Sequence, residues 1–308
     1  MTGDFREVGK RLSNWGRWDV DGSKDERGTT NLLTPERVVA ASELVREGKV
    51  FDLGIPFGAD GPQTGSFRVN PVLTMSETGA DQQLPGGVHY ADDYVFMALQ
   101  SASQWDGLAH VYYDDQLYNG FPASDLSPHG AKHLSIEHQA KGLVGRGVLI
   151  DVAGHRGVDW LQQGEVITPD ELDEVLAAQG TELRGGDIVA FRTGWRRKFL
   201  TEGDATSFMA GEPGIGLAAC EWLHAHDVAA VCSDNWGIEV LPGEVKGELL
   251  PVHMVLIRDM GMTLGEILDF EELAADCAQD GRYDFMMTAP PIKFRRAVGS
   301  PINPLAIK

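Results

Sequence analysis

The residues most able to do chemistry lie in one short stretch, Gln100-Ser-Ala-Ser-Gln104-Trp105-Asp106-Gly-Leu-Ala-His110. Read as a strand from Met97 to Asp106, its period of two puts Gln100, Ala102, Gln104 and Asp106 on one face. Leu99, Ser101, Ser103 and Trp105 fall on the other. Two carboxamides and a carboxylate around a small alanine could bind a cation or hold a polar substrate. Gly107 ends the strand, because glycine permits a sharp turn. His110 follows Asp106 by four residues, so a turn can bring its imidazole back to the carboxylate. An imidazole beside a metal or an aspartate is a usual general acid or base for attack of water on a carbonyl. A polar sheet face with a hydrogen-bonded core histidine gives the same pattern, and spacing alone does not separate the two.

Other side chains could complete a site. Val228-Ala-Ala-Val-Cys232 reads as a buried strand, and Ser233-Asp234-Asn235-Trp236 follows at its end, where α/β enzymes commonly place ligands. Trp105, Tyr112, Tyr113 and Trp236 could wall a pocket for a flat or apolar substrate. Of these, Trp105 is predicted to point away from the polar face. Asp92-Asp93 reads as a solvated turn.

The elements that must position these residues alternate. Val148 to Val152, Ile188 to Phe191 and Val228 to Cys232 are short apolar runs of the kind that form strands buried on both faces. Gly145-Arg-Gly147 and Gly185-Gly186-Asp187 supply turns before two of them. Thr34-Pro35-Glu36 starts a helix over 34–46, and Thr168-Pro169-Asp170-Glu171 starts another, since threonine caps free N–H groups and proline suits a first turn. A third helix is predicted from Val252 to Met260, with His253 near its start. Strand and helix in alternation argue for α/β architecture. Residues 1–33, with Trp15 and Trp18, suit an arm lying on another surface or an extension packed on its own domain. No compositional break divides the chain, so 1–308 is read as one domain.

Composition narrows the function classes. Hydrophobic residues make up 43% and charged residues 23%, as in a packed globular protein. A formal net charge of -20 repels phosphate backbones and anionic membranes, and the short cationic stretches Trp195-Arg-Arg-Lys198 and Lys293-Phe-Arg-Arg296 do not offset it. The three cysteines, Cys220, Cys232 and Cys277, form no CxxC pair and read as buried free thiols. The N-terminus lacks an apolar signal core and no run is long enough to span a bilayer, which reads as cytoplasmic. No GxGxxG, Walker-type or GxSxG motif is present, so nucleotide binding and serine hydrolysis lack their usual support.

The segment 100–110 resembles the signature H-x-G-T-H-x-D-x-P-x-H of the metal-dependent cyclase-like hydrolases that include kynurenine formamidase and isatin hydrolase. Asp106 and His110 fall on its Asp and last His, while Gln100 and Gln104 replace its first two His. Gly194-Trp195, Glu212-Pro-Gly-Ile-Gly216, Ser233-Asp-Asn-Trp236, His253 and Gly299-Ser-Pro301 are similar to the Gln-Trp-Asp branch of that family. The resemblance implies a swivelling β/β/α-type domain with a mixed central sheet. It also implies metal ligation by Gln104 and Asp106, with Gln100, His253 or Glu266 contributing, and a proton-transfer role for His110. Trp105, Tyr113, Asn235 and Trp236 are the candidate substrate contacts. Carboxamide oxygens in place of imidazoles suit a hard cation, so one divalent ion is expected, Mn²⁺ ahead of Zn²⁺ or Mg²⁺, with a metal-free site as the rival. The implied activity is hydrolysis of a small amide or cyclic amide. A lyase or cyclase reaction at the same site and a non-catalytic binding protein lacking metal are the alternatives. The family's oligomers imply a homo-oligomer, dimer or tetramer, with helix 34–46 and the Trp15/Trp18 arm at the interface.

Overall fold

The computed structural model describes residues 4–80, 82, 84–245 and 247–308. Its centre is a mixed sheet of nine strands. From one edge to the other these are Val50–Asp52, Leu305–Ile307, Asp284–Thr288, Val144–Asp151, Ile188–Arg192, Ala230–Ser233, Thr263–Glu266, Gln104–Asp106 and Gly299–Pro301. The four strands from Val144–Asp151 to Thr263–Glu266 run parallel to one another, and antiparallel strands flank them on both sides. The fold is therefore α/β with a mixed central sheet, as the resemblance implies.

The apolar runs explain the layers. Val148, Ile150, Val189, Phe191 and Val231 enter one core, beneath the helices Pro169–Gln179 and Ala218–Ala225. Leu149, Ala190 and Cys232 alternate with them into a second core, shared with Phe285, Met287 and the helix Glu271–Asp280. A strand buried on both faces can be apolar at every position, which is why these runs read as continuous rather than alternating. All three cysteines are free and buried.

Several local expectations change. Residues 97–103 form turns, and the strand proper is only Gln104–Asp106. The Ser101 N–H and hydroxyl both donate to the Ala98 carbonyl, and the Ser103 hydroxyl donates to Ile267 O at 2.6 Å. Serine hydroxyls that satisfy nearby backbone divert the chain from a ladder. Thr168 caps its helix, accepting from the Glu171 N–H at 3.3 Å, whereas Thr34 makes no such bond and its helix stops at Ser42. Phe5–Leu12 is a helix whose Phe5, Val8 and Leu12 enter the first core, so residues 5–12 pack on their own chain. Asp92 and Asp93 open a strand, Asp92–Phe96, which pairs with Val72–Glu77 in an exposed hairpin. The segment expected as a helix from Val252 is helical, but Met254–Asp259 is wound as a π-helix after Pro251–His253.

Candidate functional site

Strand register builds the floor of the site. Gln104 lies directly across from Glu266, and Asp106 is two residues along on the same face as Gln104. The Gln104 amide donates to Glu266 Oε2 at 2.5 Å. Trp105, between them, faces the second core, where its indole donates to Ala289 O at 2.7 Å. Gly265 is its cross-strand partner, and a Cβ there would lie 2.6 Å from the indole, so this close approach requires glycine.

The remaining groups come from the opposite wall. The Glu239 carboxylate accepts from the backbone N–H groups of Val252 and His253, which are free because they start a helix, and bonds His253 Nδ1 at 2.6 Å. That contact fixes the ring so that Nε2 meets Glu266 Oε1 at 3.0 Å. Asp106, His253 and Glu266 each offer a ligand atom, all within 4.8 Å of one another, and all three residues are buried. His110 Nε2 stands 3.5 Å from Asp106 Oδ2. Glu212 accepts from the Trp236 N–H at 2.6 Å, with its other oxygen towards Gly237 and Glu266.

The electrostatics follow from crowding acids out of water. Burial pushes the Asp106 carboxyl well above the usual carboxylate range, and Glu266 pushes it further; His253 and Arg68 oppose this. Burial likewise raises Glu212. Burial alone would lower His253, but its hydrogen bonds to the Glu239 and Glu266 carboxylates outweigh it and raise the imidazole well above its ordinary value. His110 goes the other way, pushed down to about 3 by burial and then by Arg68 and His253. Among the described residues, Gln104 Oε1, Asp106 Oδ1 and Glu212 Oε1 are buried without a hydrogen-bond partner. Unsatisfied buried oxygens are costly, and oxygens gathered round an imidazole are the donor set of a hard divalent cation. The residues present therefore fit a metal.

The site opens into a cavity of about 440 Å³. Asp106, His110, His253 and Glu266 form its polar end, while Val111, Trp236, Leu241 and Leu250 supply much of its apolar wall. Phe67 and Arg68 close it from the base of the hairpin.

Of the residues singled out in the sequence, Asp106, His110, Gln104, His253 and Glu266 come together here, and Trp236 lines the pocket. Gln100 precedes the strand, so the period of two does not reach it, but its carboxamide lies against Gly299, the cross-strand partner of Asp106. Three other candidates do not join them. Trp105 is completely buried on the other face of the sheet. Tyr113 packs edge-on against Phe5 and donates to Asp259 at 2.8 Å, beside a different depression. Asn235 spends its side chain on the backbone, donating to Pro213 O and accepting from the Ile238 N–H. Glu212, Glu239 and Arg68 belong to the site but were given no chemical role in the sequence reading, where Glu212 only opened one of the stretches similar to the family. Glu239, between Ile238 and Val240, carried the one usable signal, a charge inside an apolar run.

Acids and an imidazole at the polar end of an apolar cavity, carried on a mixed central sheet, define the class of α/β protein to which this site belongs. The chain belongs to the cyclase family: residues 51–240 match the family model described as "Putative cyclase". Isatin hydrolase from Roseibium aggregatum is 26% identical over 148 residues, which are 44% of this chain and 51% of that protein. The chain thus spans about half the length of this curated relative. The crystal structure of a novel cyclase is 41% identical, with a TM-score of 0.89 over 96% of this chain and 100% of the other. A protein described as a "predicted metal-dependent hydrolase", from Bacillus stearothermophilus, shares the fold at 18% identity, with a TM-score of 0.54 over 85% and 98% of the two chains.

Proposed function

We propose that this protein is a metal-dependent hydrolase of a small amide or cyclic amide. The observation that carries the reading is the buried cluster of Asp106, His253 and Glu266, with unpartnered oxygens on Gln104 and Asp106, at the polar end of an apolar cavity. Asp106, His253 and Glu266 would hold the ion, with Gln104 Oε1 as a further donor. This oxygen-rich set favours Mn²⁺ over Zn²⁺. When bound, a divalent ion polarises the substrate carbonyl and acidifies water.

The chain's own groups do the rest. His110, neutral at working pH, accepts a proton from the attacking water and returns it to the leaving nitrogen as the C–N bond breaks. Asp106 orients that imidazole from 3.5 Å. Glu239 holds His253 in place through Nδ1, the second partner that a ligating histidine needs. The water oxygen ends on the acyl carbon and its protons are shared between carboxyl and amine.

The test is metal content followed by turnover on a panel of formamides, lactams and lactones, with isatin included because of the relative's name. About one equivalent of divalent metal, with hydrolysis lost to a chelator and restored by Mn²⁺, is the expected result. His110→Ala should lower kcat by about 10²-fold or more. Turnover unaffected by the chelator overturns the metal reading; a panel member converted without net addition of water moves the protein to the lyase or cyclase class.

A further inference from the structure

Arg68 is a half-buried arginine on the cavity wall, and its surroundings differ from those of the shielded arginines that carboxylates pair. Arg146 is paired with Asp187 at 2.7 Å, Arg192 with Asp151 at 2.7 Å and Glu271 at 2.9 Å, and Arg258 with Asp259 at 2.5 Å. Among the described residues, no carboxylate lies within the 4.0 Å of an ion pair to Arg68. This is notable in a chain with 46 acidic residues against 26 basic ones. Asp106 and Glu266, on the same cavity, are engaged with His110, His253 and Gln104 instead.

The guanidinium is nevertheless held. Its Nη1 donates to the Gln100 carbonyl at 3.0 Å. Its carbon sits 5.2 Å from the Phe67 ring centre and 5.8 Å from that of Trp236, and those two rings meet edge to face at 6.4 Å. Aromatic faces and one backbone acceptor orient the planar fork while leaving donors unspent. A guanidinium so placed matches the geometry of a carboxylate, which it can bind through two parallel hydrogen bonds.

We propose that Arg68 is a specificity-determining residue, and that the substrate is an amide whose flat apolar body carries a carboxylate. The carboxylate meets Arg68, the body lies against Trp236 and Val111, and the scissile carbonyl reaches Asp106 and His110. This deepens the hydrolase reading and rests on it for the word amide, but the recognition of a flat anion stands by itself.

The test compares benzoate with benzamide, probes of nearly the same shape of which one is anionic and the other neutral, by calorimetric titration of the full-length protein. Benzoate should bind, and Arg68→Ala should weaken it at least tenfold while leaving benzamide within about twofold. Arg68→Lys should fall between, because it keeps the charge and loses the fork. An unchanged melting temperature shows that the variants are folded. No benzoate binding to the unsubstituted protein, or equal losses of both probes in Arg68→Ala, overturns the proposal. Both titrations are repeated after chelator treatment, which removes any contact between the carboxylate and a retained metal ion, so a failed metal experiment and a failed anion experiment are distinct results.

Discussion

His110 and His253 are two imidazoles of one cavity driven in opposite directions. His253 has carboxylates on both nitrogens and stays protonated unless a cation displaces the proton from Nε2. His110 is shielded and near positive charge, so its ring stays neutral down to a pH of about 3. A pKa pushed below the ordinary value of about 6.5 leaves the proton-accepting form fully populated at pH 5 and above. The kcat/KM profile should therefore show no His110 limb between pH 6 and 7. An acid limb in that range that vanishes in a low-activity His110→Gln variant contradicts the assignment. Spacing made Asp106 and His110 legible, because four residues across one turn is local geometry. Glu212 and Glu239 were not legible as a pair of supports, since they reach His253, Glu266 and Trp236 only after distant segments fold together.

Between strands, position depends on loops that use polar side chains as struts. The parallel strands and the helix opening at Thr168-Pro169 could be read from periodicity and capping, because both are written in a few consecutive residues. The turns at 97–103 could not, because serine hydroxyls redirect the backbone there and hydrophobic periodicity does not record them. Asp234, at the end of strand Ala230–Ser233, is another such strut. It accepts from the Thr193 N–H at 2.9 Å, the Thr193 hydroxyl at 2.6 Å and the Gly194 N–H at 2.7 Å. Asp234→Ala strands those donors in the interior and should cost about 3 kcal/mol in urea unfolding, lowering the midpoint with little change in slope. Burial raises Asp234 to about 6, so its folded-state pKa exceeds the unfolded value. Its contribution to stability is greatest at low pH and falls as pH rises through 6. The penalty of Asp234→Asn should accordingly be smaller at pH 8 than at pH 5; an equal penalty at both values removes the buried-carboxylate account.

At the scale of the whole molecule, the surface around the pocket is the least finished part. The hairpin Val72–Glu77 with Asp92–Phe96 is exposed at every residue, with Leu73 66%, Tyr94 67% and Phe96 75% accessible. Sequence periodicity gave no hint of this, because alternation signals a buried face and here neither face meets a core. A two-stranded hairpin is marginal alone in water, and apolar side chains on both of its faces gain most by meeting another surface. The helix Pro35–Ser42 is a weaker candidate for contact between copies: it packs on strands of its own sheet, and Val39 is its one large apolar side chain left exposed. We propose that the hairpin is the seat of the homo-oligomer that the sequence resemblance implies. Light scattering at micromolar concentration should then give a mass above that of one chain. Tyr94→Glu combined with Phe96→Glu should reduce it to one chain while the monomer core, which those side chains do not enter, keeps its unfolding midpoint. A single-chain mass for the unsubstituted protein, or an oligomer indifferent to both substitutions, rules the hairpin out as the contact.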